Sequence, residues 1–307
     1  MTQQEILRQN WTKTAKAKAL YSLGYTRHQV ADLLCNGNYG FAHNIWKKWN
    51  EEITQQSTYS TEFNFEFNRT FGIELEIYNV SRETLVNAIQ REGINIVSES
   101  YNHTTRNHWK IVSDGSVTGS HGCEIVSPVL KGMEGMEQIK KVCIALNKVK
   151  AKVNKSCGFH VHFGVNDYNL QNFKNLIFSY AQNESNIDAF MPNSRRKNNN
   201  RYCKNITNIN SLRTKLNRAS SVSDICVDVF GAERYYKLNM QSFQRHGTVE
   251  FRQHSGTTTF SKIKNWILIC GRMVEFAKQV GKFNNINDVL NESLQDYISD
   301  RAVDLVA

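Results

Sequence analysis

Residues 71–78 read Phe71-Gly72-Ile73-Glu74-Leu75-Glu76-Ile77-Tyr78. In an extended strand successive side chains point to opposite faces. Phe71, Ile73, Leu75 and Ile77 therefore share one face, and Glu74 and Glu76 stand together on the other. Two neighbouring carboxylates on a rigid face repel each other and resist desolvation unless a cation or several donors sit between them. Taken alone, a Glu-x-Glu pair is more often the solvated outer face of a surface strand. The same construction recurs, however, in Phe159-His160-Val161-His162-Phe163 and in Val249-Glu250-Phe251-Arg252. Phe159, Val161 and Phe163 face inward with His160 and His162 opposite; Val249 and Phe251 face inward with Thr248, Glu250, Arg252 and His254 opposite. If the three strands share one sheet, their polar rows line a single concave surface, and the repetition turns the reading toward a metal cradle.

The whole chain sets the frame for that surface. Its 307 residues, 40% hydrophobic, 21% charged and 11% aromatic, are those of a globular protein with room for one large domain and a small one. No apolar run approaches the roughly 20 residues of a membrane span, and the N-terminal MTQQEILRQN lacks a signal-peptide core, so a cytoplasmic protein with no membrane partner is expected. Seven scattered cysteines without a C-x-x-C suggest reduced thiols rather than a disulfide framework or zinc knuckle. The net charge of +10 favours anionic partners such as nucleic acid, nucleotide phosphates or acidic substrates.

Residues 1–54 read as a small helical module. Thr12–Leu23 carries apolar residues at helical spacing and stops at Gly24; Thr26-Arg27-His28-Gln29 is a capping-box pattern opening a helix with Val30, Leu33 and Leu34 inward. After the turn at Asn36-Gly37-Asn38 comes a helix through Ile45, Trp46 and Trp49. Three short helices with a basic last one resemble a helix-turn-helix, so residues 1–50 are a candidate for nucleic-acid contact, with His43, Asn44, Lys47 and Lys48 on the exposed side. A helical appendage or docking unit shares the pattern.

The polar stretch Glu51–Glu62 marks a boundary, and a strand or lead-in at Phe63, Phe65 and Phe67 precedes the pivotal one. Helices are predicted at Arg82–Arg91, Met133–Val149, Leu170–Ser185 and Lys262–Val280, and strands at Ile94–Val97, Trp109–Val112, Cys123–Val126, Gly158–Val165, Tyr235–Phe243 and Gly247–His254. Met191–Asn210 reads as a mobile basic loop, and residues 286–307 as a helical tail. Intermixed strands and helices without a βαβ rhythm or a Gly-rich phosphate loop indicate α+β with a largely antiparallel sheet and helices on one face.

Two further acids fit the polar surface. Asp114 stands where Lys110–Val112 ends in an Asp-Gly turn, although ordinary turn chemistry accounts for it equally, and Glu124 projects between Cys123 and Ile125. Several carboxylates with an imidazole prefer Mg²⁺ or Mn²⁺ to zinc, and no His-x-x-x-His supports a zinc protease. An oxygen-rich cluster with an arginine on the same strand suits phosphoryl transfer.

The ordered set FGIELEI, SDGS, EIVSP, CGFHVHFG, RYYKLN and TVEFRQHSGT resembles the amidoligase family of the glutamine synthetase and glutamate–cysteine ligase superfamily, over roughly residues 62–280. The resemblance implies a glutamine synthetase-like catalytic domain at 62–285, holding ATP with Mg²⁺ or Mn²⁺. It implies an ADP-forming ligase that joins a small-molecule or peptide carboxylate to an amine through an acyl phosphate. Carried over, Glu74, Glu76, Asp114, Glu124, His160 and Glu250 resemble metal ligands. Arg252 is similar to the arginine on the phosphates, and His162 to the histidine near nucleotide or substrate. Arg234 and Asn239 match an Arg…Asn element before the last strand, Arg245 assists, and Arg195, Arg196 and Arg201 lie where such enzymes cover the site. Asp114 is shorter than the glutamate of better-known synthetases, and the N-terminal helices lie outside the catalytic fold. The alternatives are a DNA-binding regulator whose ligase-like domain only senses a ligand, and a metallohydrolase that acts without ATP.

Overall fold

The computed structural model describes residues 1–56 and 63–305 and divides into two compact units, residues 1–63 with 296–307, and 64–295. No helix among the described residues is long and apolar enough to cross a membrane.

The first unit holds four N-terminal helices where three are expected: α1 Gln3–Arg8, α2 Lys13–Ser22, α3 Arg27–Leu34 and α4 Tyr39–Gln56. Thr2, Thr12 and Thr26 cap the first three with their hydroxyls, each accepting from a backbone N–H three residues on. Ile6, Leu20, Val30, Ala42 and Ile45 form its core, and Leu33, expected inside, is exposed. Ala31 takes the inward place because the helix presents the Arg27–Val30–Ala31 stripe. Arg27 is buried over the rings of Tyr39 and Trp46, 5.3 and 5.2 Å from their centroids, and pairs with Asp296. Its Nη1 lies 2.7 Å from His43 Nδ1, so His43 turns inward while Asn44, Lys47 and Lys48 are exposed on α4.

The second unit is built on an eight-stranded sheet. Seven strands run in the order β2 (Ile96–Ser98), β3 (Trp109–Ser113), β4 (Cys123–Val126), β1 (Thr70–Ile77), β6 (Gly158–Gly164), β8 (Thr248–Ser255) and β7 (Leu238–Asn239); β5 (Leu130–Lys131) pairs with the start of β1. Among these eight strands β2 and β3 alone pair in parallel. The result is a mixed α/β protein with a mostly antiparallel open sheet. Phe71, Ile73 and Leu75 lie opposite Phe163, Val161 and Phe159 in register, so one face is a continuous apolar layer.

Helices α5 (Arg82–Arg91), α6 (Gly132–Lys148), α7 (Leu170–Ala189) and α11 (Phe260–Gln279) supply the rest of that core. A Cβ on Gly135 of α6 or Gly271 of α11 would come within 3.0 Å of Phe71 or 3.2 Å of Phe163, so both glycines permit close helix-to-sheet approach. Between α7 and β7 lie α8 (Leu212–Arg218) and α9 (Val222–Asp224); α12 (Glu292–Asp304), the last helix among the described residues, belongs from Asp296 onward to the first unit.

Phe63, Phe65 and Phe67 form a lead-in to β1 and no strand, one of the two outcomes expected of them. Two expectations change. The strand expected at Tyr235–Phe243 is confined to β7, because α10 (Gln241–His246) begins at once and ends at Gly247 with φ +66°. The segment Met191–Asn210, expected to be mobile, is pinned. Arg196 Nε donates to Met191 O at 2.6 Å, Lys197 N to Asp188 Oδ2 at 2.8 Å, and Ile206 N to Glu184 Oε1 at 2.8 Å.

Candidate active site

The register of the central strands decides what the polar face carries. On β1, Glu74 lies opposite His160 of β6 and Glu76 opposite Glu124 of β4. His162 lies opposite Glu250 of β8, which lies opposite Asn239 of β7. Seven predicted side chains thus converge because adjacent strands keep in-register residues on one side. His254 does not join them. The register shifts by one between Phe159 and Val161, so Arg252 and Gln253 share the place opposite His160. Beyond that bulge His254 pairs with Phe159 and is buried on the helix face, its ring 5.4 Å from Phe159 and 5.6 Å from Trp266.

Glu74 Oε2 accepts from His160 Nδ1 at 3.0 Å, and its Oε1 lies 3.3 Å from His162 Nε2. His160 is 3.5 Å from Glu250 Oε1 and 3.8 Å from Glu76 Oε1. The outer oxygen of Glu76 accepts from the Gly158 N–H at 2.6 Å, so the start of β6 fixes the end of β1. Glu250 accepts from Arg252 Nη1 at 2.5 Å and from Asn239 Nδ2 at 2.6 Å, and His162 Nδ1 is held at 3.1 Å from Thr248 Oγ1. Arg252 Nε donates to Tyr202 O at 3.2 Å, which ties the pinned loop to the site. Asp114 is turned by its Asx contact, accepting from Ser116 N and Oγ at 2.7 Å each.

The electrostatics follow from crowding. Burial alone raises a carboxyl, but hydrogen bonds from His160 and His162 hold Glu74 well below the usual range. Glu250 is held down against its burial by Arg252 and His162. His162 is raised, burial being outweighed by Glu250 and Glu74. For Glu124 the balance reverses: burial first, then Glu74, Glu76 and Asp114, outweigh the pull of Arg252 and push it well above the ordinary value.

A divalent ion is what this crowding of carboxylates would accommodate. Three overlapping sets, Glu74–Glu124–His160, Glu74–His162–Glu250 and Glu76–Asp114–Glu124, each bring ligand atoms within 4.8 Å of one another. An oxygen-rich donor set with one imidazole suits Mg²⁺ or Mn²⁺, and a bound cation relieves the repulsion around Glu124.

The six residues that resemble metal ligands, with His162, Arg234, Asn239, Arg245 and Arg252, line one cavity of about 650 Å³; Arg196 and Arg201 are not among the described residues lining it. Glu74, Glu76, Glu124, His160, His162 and Glu250 form its acidic and imidazole floor, with Asp114 at the Glu76 end. Arg234 and Arg245 also line the cavity, Arg234 lying 5.1 Å over Tyr235. Arg195 also lines it, buried, with Nη2 donating to Cys157 O at 2.5 Å. His103 and His246 lie on the lining unannounced by any local pattern; they come from a loop and a helix end.

The protein is thus a mostly antiparallel open sheet whose polar face gathers five carboxylates, two imidazoles and an arginine in one cleft, a cluster able to hold a metal ion. The family model described as "Putative amidoligase enzyme" matches residues 67–274, and the chain belongs to that family. No curated protein matches the chain.

Proposed function

We propose that this chain is an ATP-dependent, ADP-forming carboxylate–amine ligase, with a glutamine synthetase-like catalytic domain over residues 62–285. The observation that carries the reading is the convergence of three overlapping metal-ligand sets with Arg252 on one wall of an arginine-lined cavity.

In this reading Glu74, Glu76, Asp114, Glu124, His160 and Glu250 hold divalent cations. Bound there, such ions neutralise and orient a triphosphate. Arg252, fixed by Glu250 and by the Tyr202 carbonyl, meets the charge on the transferred phosphoryl group. Arg234 and Arg245 bind the outer phosphates or the acid substrate, and Asn239 keeps Glu250 turned to the floor. His162, held by Thr248, faces the nucleotide or substrate.

The reaction has two displacements. A substrate carboxylate oxygen bonds to the γ-phosphorus and ADP leaves; an amine nitrogen then bonds to the acyl carbon, phosphate leaves, and the nitrogen loses a proton. No nucleophilic side chain is needed, so positioning and charge neutralisation supply the catalysis.

The test is incubation with ATP and Mg²⁺ in the presence of pooled amino acids, other carboxylic acids and polyamines. Phosphate release and new amide masses are followed together. The reading requires ADP and amide in equal amounts. Hydrolysis of an amide or ester without ATP would replace it with the metallohydrolase.

A further inference from the structure

A second cavity of about 330 Å³ opens over the Gly72 end of β1 and meets the larger one at Glu74, Glu124, His103, His162 and His246. This is within the range of small-molecule sites, about 300–1,000 Å³. The two differ in charge. Arg195, Arg234, Arg245 and Arg252 line the larger cavity, and no arginine is among the described residues lining the smaller. Its lysine, Lys110, is closed to a ligand: all three ammonium donors are used, on Asn102 O at 3.1 Å, Asn102 Oδ1 at 2.8 Å and Thr104 O at 2.8 Å. What remains is acceptor-rich, with the carboxylates of Glu74 and Glu124 at the junction and Asn166, Thr248 and Ser127 on the walls beside apolar Val126 and Pro128.

Gly72 makes the floor of this cavity, and the fold does not require a glycine there. It lies within β1 without a positive φ, and a Cβ would meet only Ser127 Oγ at 3.5 Å and Pro128 O at 3.9 Å, ordinary contacts. The neighbouring glycines are different. A Cβ at Gly164 would come to 2.5 Å from Thr70 Oγ1, and one at Gly247 to 2.3 Å from Asn166 Oδ1. Glycine in a strand interior weakens the strand and marks a close approach by something else. Gly72 leaves space on the same face as Glu74, toward the cavity.

We propose that the cavity over Gly72 is the subsite for the attacking amine, and that the missing side chain at position 72 sets the size of amine accepted. A compact alkylamine or amino-group donor, bound as the ammonium ion and releasing one proton to solvent before its nitrogen attacks, matches these acceptors and the absence of a free lysine or arginine among the described lining residues. The triphosphate and the carboxylate substrate match the arginine-lined cavity. The amine then reaches the junction at Glu74 and Glu124 from the side opposite the phosphates. The assignment rests on the ligase reading only in calling the amine a substrate.

Calorimetric titration of the full chain tests it, with Mg²⁺ and a non-hydrolysable ATP analogue present. The probes are n-butylammonium, putrescine and spermidine, against butyrate and glutarate. At least one amine is expected to bind, and Gly72→Val to weaken it by about tenfold or more, the scale of one misplaced methylene group. Analogue binding should be unchanged. Val129 is exposed at the rim, so Val129→Trp narrows the mouth without touching the core and should weaken the same amine if Gly72→Val fails to fold. Amine binding indifferent to both variants, or carboxylates binding in place of amines with sensitivity to Gly72→Val, overturns the proposal. Amine binding without any binding of the ATP analogue leaves this subsite standing and removes the ligase reading.

Discussion

Arg252 Nη1 donates to Glu250 Oε1 at 2.5 Å, although the two side chains leave β8 on the same face only two residues apart. The guanidinium is thereby aimed across the cavity floor, with Tyr202 O holding its Nε. A lysine keeps the charge and loses the fork. Arg252→Lys is therefore predicted to lower ADP-forming turnover by about 10²–10³-fold, the scale of one transition-state donor. Circular dichroism should show the fold retained, and unchanged turnover would take Arg252 out of the machinery.

Glu124 gives a prediction of opposite sign for stability and function. In EDTA its carboxyl is raised by burial and by Glu74, Glu76 and Asp114, so the folded chain binds a proton there more readily than the unfolded one. A raised folded pKa means stability is lost as pH climbs above the unfolded carboxyl value of about 4.3. Glu124→Gln should flatten that pH dependence and raise the neutral-pH melting temperature in EDTA, by roughly 2–4 °C for each kcal/mol recovered. The same change should abolish the stabilisation conferred by Mg²⁺. Loss of stability in EDTA would contradict the crowding argument.

Arg69 braces the lead-in to β1. Its Nε donates to Glu275 Oε1 at 2.6 Å, and its Nη1 to Gly164 O and Asp167 Oδ1, both at 2.6 Å. Glu275 is 9% exposed, whereas Asp167 is well solvated, so most of the loss on removing the arginine comes from Glu275. Arg69→Met is predicted to cost about 3–5 kcal/mol, read as a lower urea midpoint.

Behind the sheet, Lys237 donates to Asp188 Oδ1 at 2.5 Å with no exposure to solvent, and Asp188 also receives Gln253 Nε2 at 2.6 Å and Lys197 N at 2.8 Å. Asp188→Leu leaves a buried ammonium and is predicted to destabilise by about 3–5 kcal/mol, whereas Asp188→Leu with Lys237→Met recovers much of that. The double variant still lacks the acceptor for Lys197, so proteolysis within Arg195–Lys204 should be faster than in the parent.

The polar face was legible in the sequence because period-two alternation survives wherever strands stay in register. Glu74, Glu76, His160, His162 and Glu250 all obey it. His254 breaks it because one extra residue in β8 inverts every later side chain, and a bulge of two against one leaves no trace in the order Arg252-Gln253-His254. The helix stripe Met136, Ile139, Val142, Cys143 and Leu146 was equally readable. The loop after α7 was misread for a physical reason. Its many polar residues suggest solvent, but Asp188 and Glu184 on α7 satisfy its backbone N–H groups from outside the segment. Arg195 likewise reads as a surface cation and lies buried against the carbonyls of Ser156 and Cys157. Such partners are far apart in sequence and leave no local periodicity.

The central claim is that the sheet face gathers divalent ions. Anomalous diffraction at the manganese edge, from crystals of the full chain grown with Mn²⁺, tests it most directly. Peaks coordinated by Glu74, Glu76, Glu124, His160 or Glu250 are predicted, and they should vanish in crystals of the Glu76→Ala and Glu124→Gln double variant. An empty acidic floor in well-ordered, Mn²⁺-saturated crystals would contradict the account.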